Sequence, residues 1–157
     1  MIKQRNKRYH ILLVDDEPLI RESLYEILRI QGFNAYMASN GEEALELVRK
    51  QKIDIVITDM KLPRLSGLSV LYQTKEISPE TEVILITGFG SVETAVEAMK
   101  KGAYDYLTKP VNDAEINLVI EKIIEKKELE NENRNLREMV AQTQPSSFCE
   151  LIGSSIR

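Results

Sequence analysis

A single cysteine, Cys149, is all the thiol this sequence offers. One thiol excludes an internal disulfide, so burial and hydrogen bonding have to hold the fold, which suits a cytoplasmic setting. Long apolar runs are missing too. None approaches the roughly 18 residues that span a bilayer, and no membrane segment is expected. Positive charge is not in excess. The net charge is -4, so no chain-wide basic field favours DNA or an anionic membrane, and this stretch is not expected to bind nucleic acid. The opening MIKQRNKRYH is basic, but it lacks the apolar stretch and cleavage site of a signal peptide and runs straight into a strand-like segment. With 157 residues, there is enough chain for one compact domain with a core, plus an appendage.

What is present is alternation. His10-Ile11-Leu12-Leu13-Val14 reads as a buried strand stopping at two aspartates. Pro18 then stands where a first helical turn tolerates proline. Leu19, Ile20, Leu24, Ile27 and Leu28 follow with helical spacing up to Gly32, a helix stop. Asn34 to Ala38 is a short strand candidate, and Ser39 with Glu42 has the spacing of a capping box opening the next helix. Ile53 to Thr58 is an apolar run ending at Asp59. A third helix carries Leu68, Val70, Leu71 and Tyr72 and ends near Ser78-Pro79. Val83 to Ile86 is a buried strand ending at Thr87. Ser91 to Lys101 is a fourth helix, stopped by Gly102. Tyr104 to Thr108 is a fifth strand ending at Lys109-Pro110, and Asn112 with Glu115 opens a final helix.

Five strands alternating with five helices predict a doubly wound parallel α/β sheet covered on both faces. In such sheets ligands bind outside the carboxyl ends of the strands. The residues standing there are Asp15, Asp16, Asp59, Thr87 and Lys109, each following an apolar run.

The last helix is long. No glycine or proline occurs from about Asp113 to about Gln142, roughly 30 residues or about 45 Å. Its first half carries Ile116, Val119, Ile120, Ile123 and Ile124, a stripe able to pack on the sheet. Its second half is mostly charged or amide. Leu129 and Leu136 lie a heptad apart, with Met139 and Val140 following, which suggests a coiled coil; the segment also reads as a solvated helix or linker. Thr143-Gln144-Pro145-Ser146-Ser147 breaks it.

Three carboxylates converging at one sheet edge repel one another unless a cation intervenes. Oxygen-only ligands suit a hard ion such as Mg²⁺. Asp59 could then act as a nucleophile toward a phosphoryl group. Lys109 would supply a mobile positive charge and Thr87 a hydroxyl donor to phosphate oxygens.

Four separated segments carry a resemblance: Val14-Asp15-Asp16-Glu17-Pro18; Thr58-Asp59-Met60-Lys61-Leu62-Pro63 with Gly67; Thr87-Gly88; and Tyr106-Leu107-Thr108-Lys109-Pro110. Together they resemble the receiver domain of two-component response regulators, over about residues 8–125. The resemblance implies a flavodoxin-like fold with strand order 2-1-3-4-5. Asp59 is implied as phosphoacceptor, Asp16 and Asp59 as direct Mg²⁺ ligands, and Asp15 as a ligand through water. Lys61 is implied as a ligand through its backbone carbonyl, its side chain pointing outward. A cis peptide is implied before Pro110, and Thr87 with Tyr106 as the switch pair. The stretch from Gly88 to Leu107 is similar to receivers of the NtrC class, which activate transcription by sigma-54 RNA polymerase. Leu151-Ile152-Gly153-Ser154-Ser155 is similar to the opening of that class's AAA+ ATPase domain.

These resemblances imply a receiver at 1–125, a helical linker at 126–144 forming a dimerising coiled coil through Leu129, Leu136, Met139 and Val140, and the start of a truncated AAA+ domain at 145–157. The implied partners are a cognate sensor histidine kinase, a second copy of the chain and, in a longer protein, sigma-54 RNA polymerase and promoter DNA. Apart from its own aspartyl phosphorylation and dephosphorylation, no enzymatic turnover is expected, and the sequence has no Walker A motif. A Mg²⁺-dependent phosphohydrolase with an aspartyl-phosphate intermediate is the alternative, but Lys61 stands where such enzymes place an acid. A flavin-binding protein would need a Ser/Thr-rich cradle where these loops carry aspartates. His10, the one histidine, lies on the first strand, which argues against a phosphohistidine relay within the chain.

Overall fold

The structure, a computed structural model, describes residues 2–88 and 90–142. In chain order these form α1 (Ile2–Asn6), β1 (His10–Val14), α2 (Pro18–Ile30), β2 (Asn34–Ala38), α3 (Gly41–Lys50), β3 (Ile55–Asp59), α4 (Gly67–Ile77), β4 (Glu82–Thr87), α5 (Val92–Lys100), β5 (Asp105–Thr108) and α6 (Asp113–Gln142). The chain divides after Asn112 into two units. The first holds the sheet and α1 to α5, and the described part of the second is α6. The end of the expected linker, Cys149 and the segment resembling an ATPase opening lie outside the described residues.

All five strands are parallel, in the order β2-β1-β3-β4-β5. The fold is flavodoxin-like, as the alternation of elements and the resemblance implied. A parallel sheet is buried on both faces, and its strands read as continuous apolar runs for that reason. Successive side chains point to opposite faces. Leu12 and Val14 of β1, Val56 of β3, and Val83 and Leu85 of β4 share one cluster with Ala44 and Val48 of α3, Val70 and Leu71 of α4, and Ala98 of α5. The alternate residues Ile11, Leu13, Ile55, Ile57, Ile84 and Ile86 are also buried, on the other face. Each such side chain contributes about 1.5–3 kcal/mol. Outside the first cluster, α2 lies against β1 and β2.

Punctuation residues set most boundaries. Pro18 opens α2. Ser66 caps α4 by accepting the Ser69 N–H. Gly32 (φ +98°) and Gly102 (φ +103°) adopt the left-handed conformation just beyond α2 and α5, where a Cβ is disfavoured. The cap of α3 corrects the sequence reading by one residue. Asn40, not Ser39, is the N-cap, its side chain accepting the Glu43 N–H at 2.9 Å. Ser39 instead donates its N–H and hydroxyl to the Glu43 carboxylate, both at 3.1 Å.

The basic N-terminus also departs from expectation, because it forms α1 before the first strand. Five residues cannot hold a helix by themselves; tertiary contacts do it here. The buried Asn6 donates its side-chain N–H to the Gln31 carbonyl at the end of α2 (2.7 Å), and Asn34 donates to the Lys7 carbonyl (2.6 Å).

In α6, the residues Ile116, Val119, Ile120, Ile123 and Ile124 are buried. Leu118, Leu129, Leu136, Met139 and Val140 are exposed.

Candidate functional site

The carboxyl edge of the sheet gathers the charged residues. Asp15 follows β1 directly, Asp59 and Thr87 are the last residues of β3 and β4, and Lys109 follows β5. The register lines them up: Asp59 pairs with Ile86, and Thr87 with Thr108. Asp15, Asp59 and Thr87 are buried, Lys109 is half-buried and Asp16 is exposed. His10 begins β1, at the opposite edge, with its Nδ1 3.0 Å from the Tyr36 hydroxyl.

Oxygen atoms of Asp15, Asp16 and Asp59 lie within 4.8 Å of one another. Lys109 Nζ donates to Asp59 Oδ2 at 3.0 Å and stands 3.7 Å from Asp15 Oδ2. The other Asp59 oxygen accepts the Lys61 N–H at 3.2 Å, which fixes the carboxylate from both sides. The Lys61 side chain is exposed. Asp15 Oδ1 accepts the Glu17 N–H at 2.9 Å, and Arg21 donates to the Asp15 carbonyl at 2.7 Å. The Lys109 N–H donates to the Thr87 carbonyl at 2.7 Å, and the Lys109–Pro110 peptide is cis.

The loop behind Asp59 is held as tightly. Met60 N–H donates to the Ile86 carbonyl and Gly67 N–H to the Met60 carbonyl, at 2.7 and 2.8 Å. A Cβ at Gly67 would collide with the Asp59 carbonyl and the Met60 backbone, so glycine is a steric requirement here. Between them, Leu65 N–H bonds the Pro63 carbonyl across Arg64 (φ +66°), a tight three-residue turn.

Charge is unbalanced at this edge. Three carboxylates face one ammonium, which leaves two negative charges uncompensated. Burial pushes the Asp15 carboxyl above its ordinary value. The charges of Asp59 and Asp16 add to that, against the Glu17 N–H and Lys109. Lys109 is raised as well, but for a different reason. Burial lowers the affinity of its ammonium for the proton, but the Asp59 hydrogen bond and the charges of Asp15, Asp59 and Glu17 outweigh it and raise the value. An all-oxygen donor set with a net double negative charge fits a hard divalent cation, Mg²⁺ above softer ions.

Tyr106 of β5 is half-buried, its hydroxyl 3.4 Å from Thr94 Oγ1 of α5. The structure therefore brings Asp15, Asp16, Asp59 and Lys109 together, with Thr87 one strand away from Asp59 on the same edge. Sequence reasoning missed Arg21 and Thr94. Their contacts run to a backbone carbonyl and to a residue 12 positions away, and neither leaves a spacing signal.

The family described as response regulator receiver domain matches residues 11–121. The chain belongs to that family. Its similarity runs to NtrC-class regulators. It is 36% identical over 131 residues to the regulatory protein AtoC of Escherichia coli K12, covering 83% of this chain and 28% of that protein. It is 44% identical over 105 residues to the response regulator protein PilR of Pseudomonas aeruginosa, covering 67% and 24%. The chain thus spans less than a third of the length of these curated relatives. Among solved structures, a receiver domain protein from Clostridium thermocellum superposes with a TM-score of 0.73 at 40% identity, covering 77% of this chain and 98% of that one. A beryllofluoride-activated NtrC4 receiver domain dimer gives 0.71 at 38% identity, covering 74% and 97%. Among the described residues, no helix is long and apolar enough to cross a membrane.

Proposed function

We propose that Asp59 is the phosphoacceptor of this receiver and that a sensor histidine kinase in the cytoplasm is its donor. One observation carries the reading: a buried carboxylate, held by Lys109 and the Lys61 N–H, stands beside two further carboxylates at the sheet edge. An Asp59 oxygen attacks phosphorus, the bond from phosphorus to the kinase's imidazole nitrogen breaks, and the imidazole leaves with a proton. Lys109 turns from Asp59 toward the phosphoryl oxygens, and the Thr87 hydroxyl donates to another. Asp15, Asp16, Asp59 and the Lys61 carbonyl would hold Mg²⁺, which neutralises charge on the transferring group. The chain catalyses only its own phosphorylation and dephosphorylation. A phosphohydrolase is disfavoured because Lys61, a cation, occupies the position of the second acid.

Intact mass after incubation with Mg²⁺ and acetyl phosphate tests this. The expected result is one added phosphoryl group, labile to hydroxylamine and lost in Asp59→Asn. A folded wild-type chain that gains nothing, or an Asp59→Asn variant that still gains the group, refutes it.

Residues 1–125 act as the receiver, 126–144 as a linker, and 145–157 as the opening of an AAA+ domain that, in a longer protein, works on sigma-54 RNA polymerase at promoter DNA. Phosphorylation switches Thr87 and Tyr106 and, through them, a homodimer. Support for the dimer lies in α6 itself. At about 100° per residue, Leu118, Leu129, Leu136 and Val140 share one stripe, opposite the buried Ile116, Val119, Ile120 and Ile123. Met139 flanks that stripe. The polar Asn133, which borders that stripe, keeps the association modest. The NtrC4 receiver structure is itself a dimer, which supports self-association of this class without bearing on α6 as the seam. A Leu129→Glu/Leu136→Glu variant should sediment as a monomer; an unchanged dimer would move the interface to the receiver.

A further inference from the structure

The Tyr106 hydroxyl reaches away from its own strand to a helix cap. Its ring packs against the core cluster, with Leu85 of the neighbouring strand as its register partner, and its oxygen lies 3.4 Å from Thr94 Oγ1. Thr94 is already engaged at the start of α5. Its Oγ1 accepts the Ser91 N–H at 3.1 Å, its own N–H donates to Ser91 Oγ at 3.1 Å, and the two hydroxyl oxygens are 2.8 Å apart. The Thr94 hydroxyl also stands 3.1 Å from the Ser91 carbonyl, to which it donates. With the threonine proton directed at Ser91, Tyr106 is the donor to Thr94. The tyrosine on β5 is therefore fastened to the capping box of α5.

Gly90 makes this position possible. A Cβ there would stand 3.0 Å from the Tyr106 hydroxyl oxygen and 3.2 Å from Thr87 Cγ2. Both side chains close over the bare glycine, and the Tyr106 hydroxyl that stands there is the one that reaches Thr94.

We propose that Thr94 is a positioning residue for the switch: its hydroxyl oxygen holds Tyr106 in the half-buried position and ties that position to the first turn of α5. This rests on the reading of Tyr106 and Thr87 as the switch pair. When Thr87 turns toward a phosphoryl group, its methyl leaves the space over Gly90. Tyr106 swings into that space and gives up Thr94. The Ser91–Thr94 cap survives, so α5 stays helical while its tie to β5 is released. Losing one such hydrogen bond shifts a two-state population about threefold to fivefold.

The test labels the whole chain with 3-fluorotyrosine and follows Tyr106 by fluorine NMR, its resonance identified by its loss in Tyr106→Phe. Beryllofluoride with Mg²⁺ is the probe. The expected result is that Thr94→Val moves the probe-free resonance toward its probe-bound position and lowers the half-saturating beryllofluoride concentration about threefold. Thr94→Ser, which keeps the hydroxyl, stays with wild type, as does Ser91→Ala, which breaks the cap alone. Wild-type behaviour of Thr94→Val, in a chain whose Tyr106 resonance does respond to beryllofluoride, overturns the role of Thr94 and leaves the Tyr106 switch standing. An equal response in Ser91→Ala assigns the effect to the cap and also overturns the proposal. A wild-type Tyr106 resonance unmoved by beryllofluoride overturns the switch and the proposal together.

Discussion

Replacing Asp15 by asparagine should stabilise the metal-free chain and remove its response to Mg²⁺. Asp15 is buried, and its oxygens lie within 4.8 Å of those of Asp16 and Asp59, a separation at which two unit charges repel by about 3.5 kcal/mol at an effective dielectric near 20. Lys109, at 3.7 Å from Asp15, offsets most of this. Burial of the charged form adds to the cost, and the carboxyl is held above its ordinary value of 3.8 for that reason first. An acid whose folded value is raised costs stability once pH passes from 3.8 up through the raised value, so the cost is fully present at neutral pH. Asparagine has no charge to desolvate, and its amide oxygen can still accept the Glu17 N–H. The expected gain is about 1–2 kcal/mol, the usual scale of a single-residue effect, or roughly 2–8 °C in Tm. The assay is thermal unfolding by circular dichroism in EDTA and in excess Mg²⁺. Wild type should rise in Tm with Mg²⁺, while Asp15→Asn should start higher and respond little. A variant that is less stable in EDTA, or that gains as much from Mg²⁺ as wild type, refutes the argument that this edge is overcharged to receive a cation.

Three further outcomes are expected. Thr74 is fully buried in α4 and its hydroxyl has no hydrogen-bond partner among the described residues, so Thr74→Val should raise stability by about 1 kcal/mol in urea unfolding, with an unchanged m-value. Gly67→Ala places a methyl against the Asp59 carbonyl and should cost at least about 2 kcal/mol; its phosphorylation by acetyl phosphate, read by intact mass, should slow. Glu43 has its carboxyl lowered by the Ser39 N–H and hydroxyl, against a small opposing effect of burial. Its contribution is present above the ordinary value of 4.5 and is lost as pH falls through the lowered folded value. Glu43→Gln should therefore lower Tm slightly at neutral pH and match wild type below that value.

Most of the sheet edge was legible because each strand is an apolar run with a polar residue at its end. Asp15, Asp59, Thr87 and Lys109 could be placed on one edge from alternation alone, since parallel strands share a carboxyl side. Sequence reading falls short where a distant partner decides. Helix α1 exists through Asn6 and Lys7, whose partners Gln31 and Asn34 lie more than 20 residues on. The cap of α3 slipped by one because Ser39 and Asn40 both suit the position, and only the placement of the Glu43 N–H chooses between them. Gly67 was visible as part of a motif, but its reason, the Asp59 carbonyl beneath it, was not. Thr94 reads as an ordinary residue of a helix's first turn until Tyr106 is seen beside it.

The most direct test of the central claim is to locate the phosphoryl group itself. The chain is phosphorylated with acetyl phosphate and Mg²⁺, the acyl phosphate is reduced with borohydride, and the modified peptide is sequenced by mass spectrometry. Homoserine in place of Asp59, with Asp15 and Asp16 intact, is the predicted result. Homoserine at Asp15 or Asp16, or a phosphorylated chain with no reduced aspartate, would contradict it.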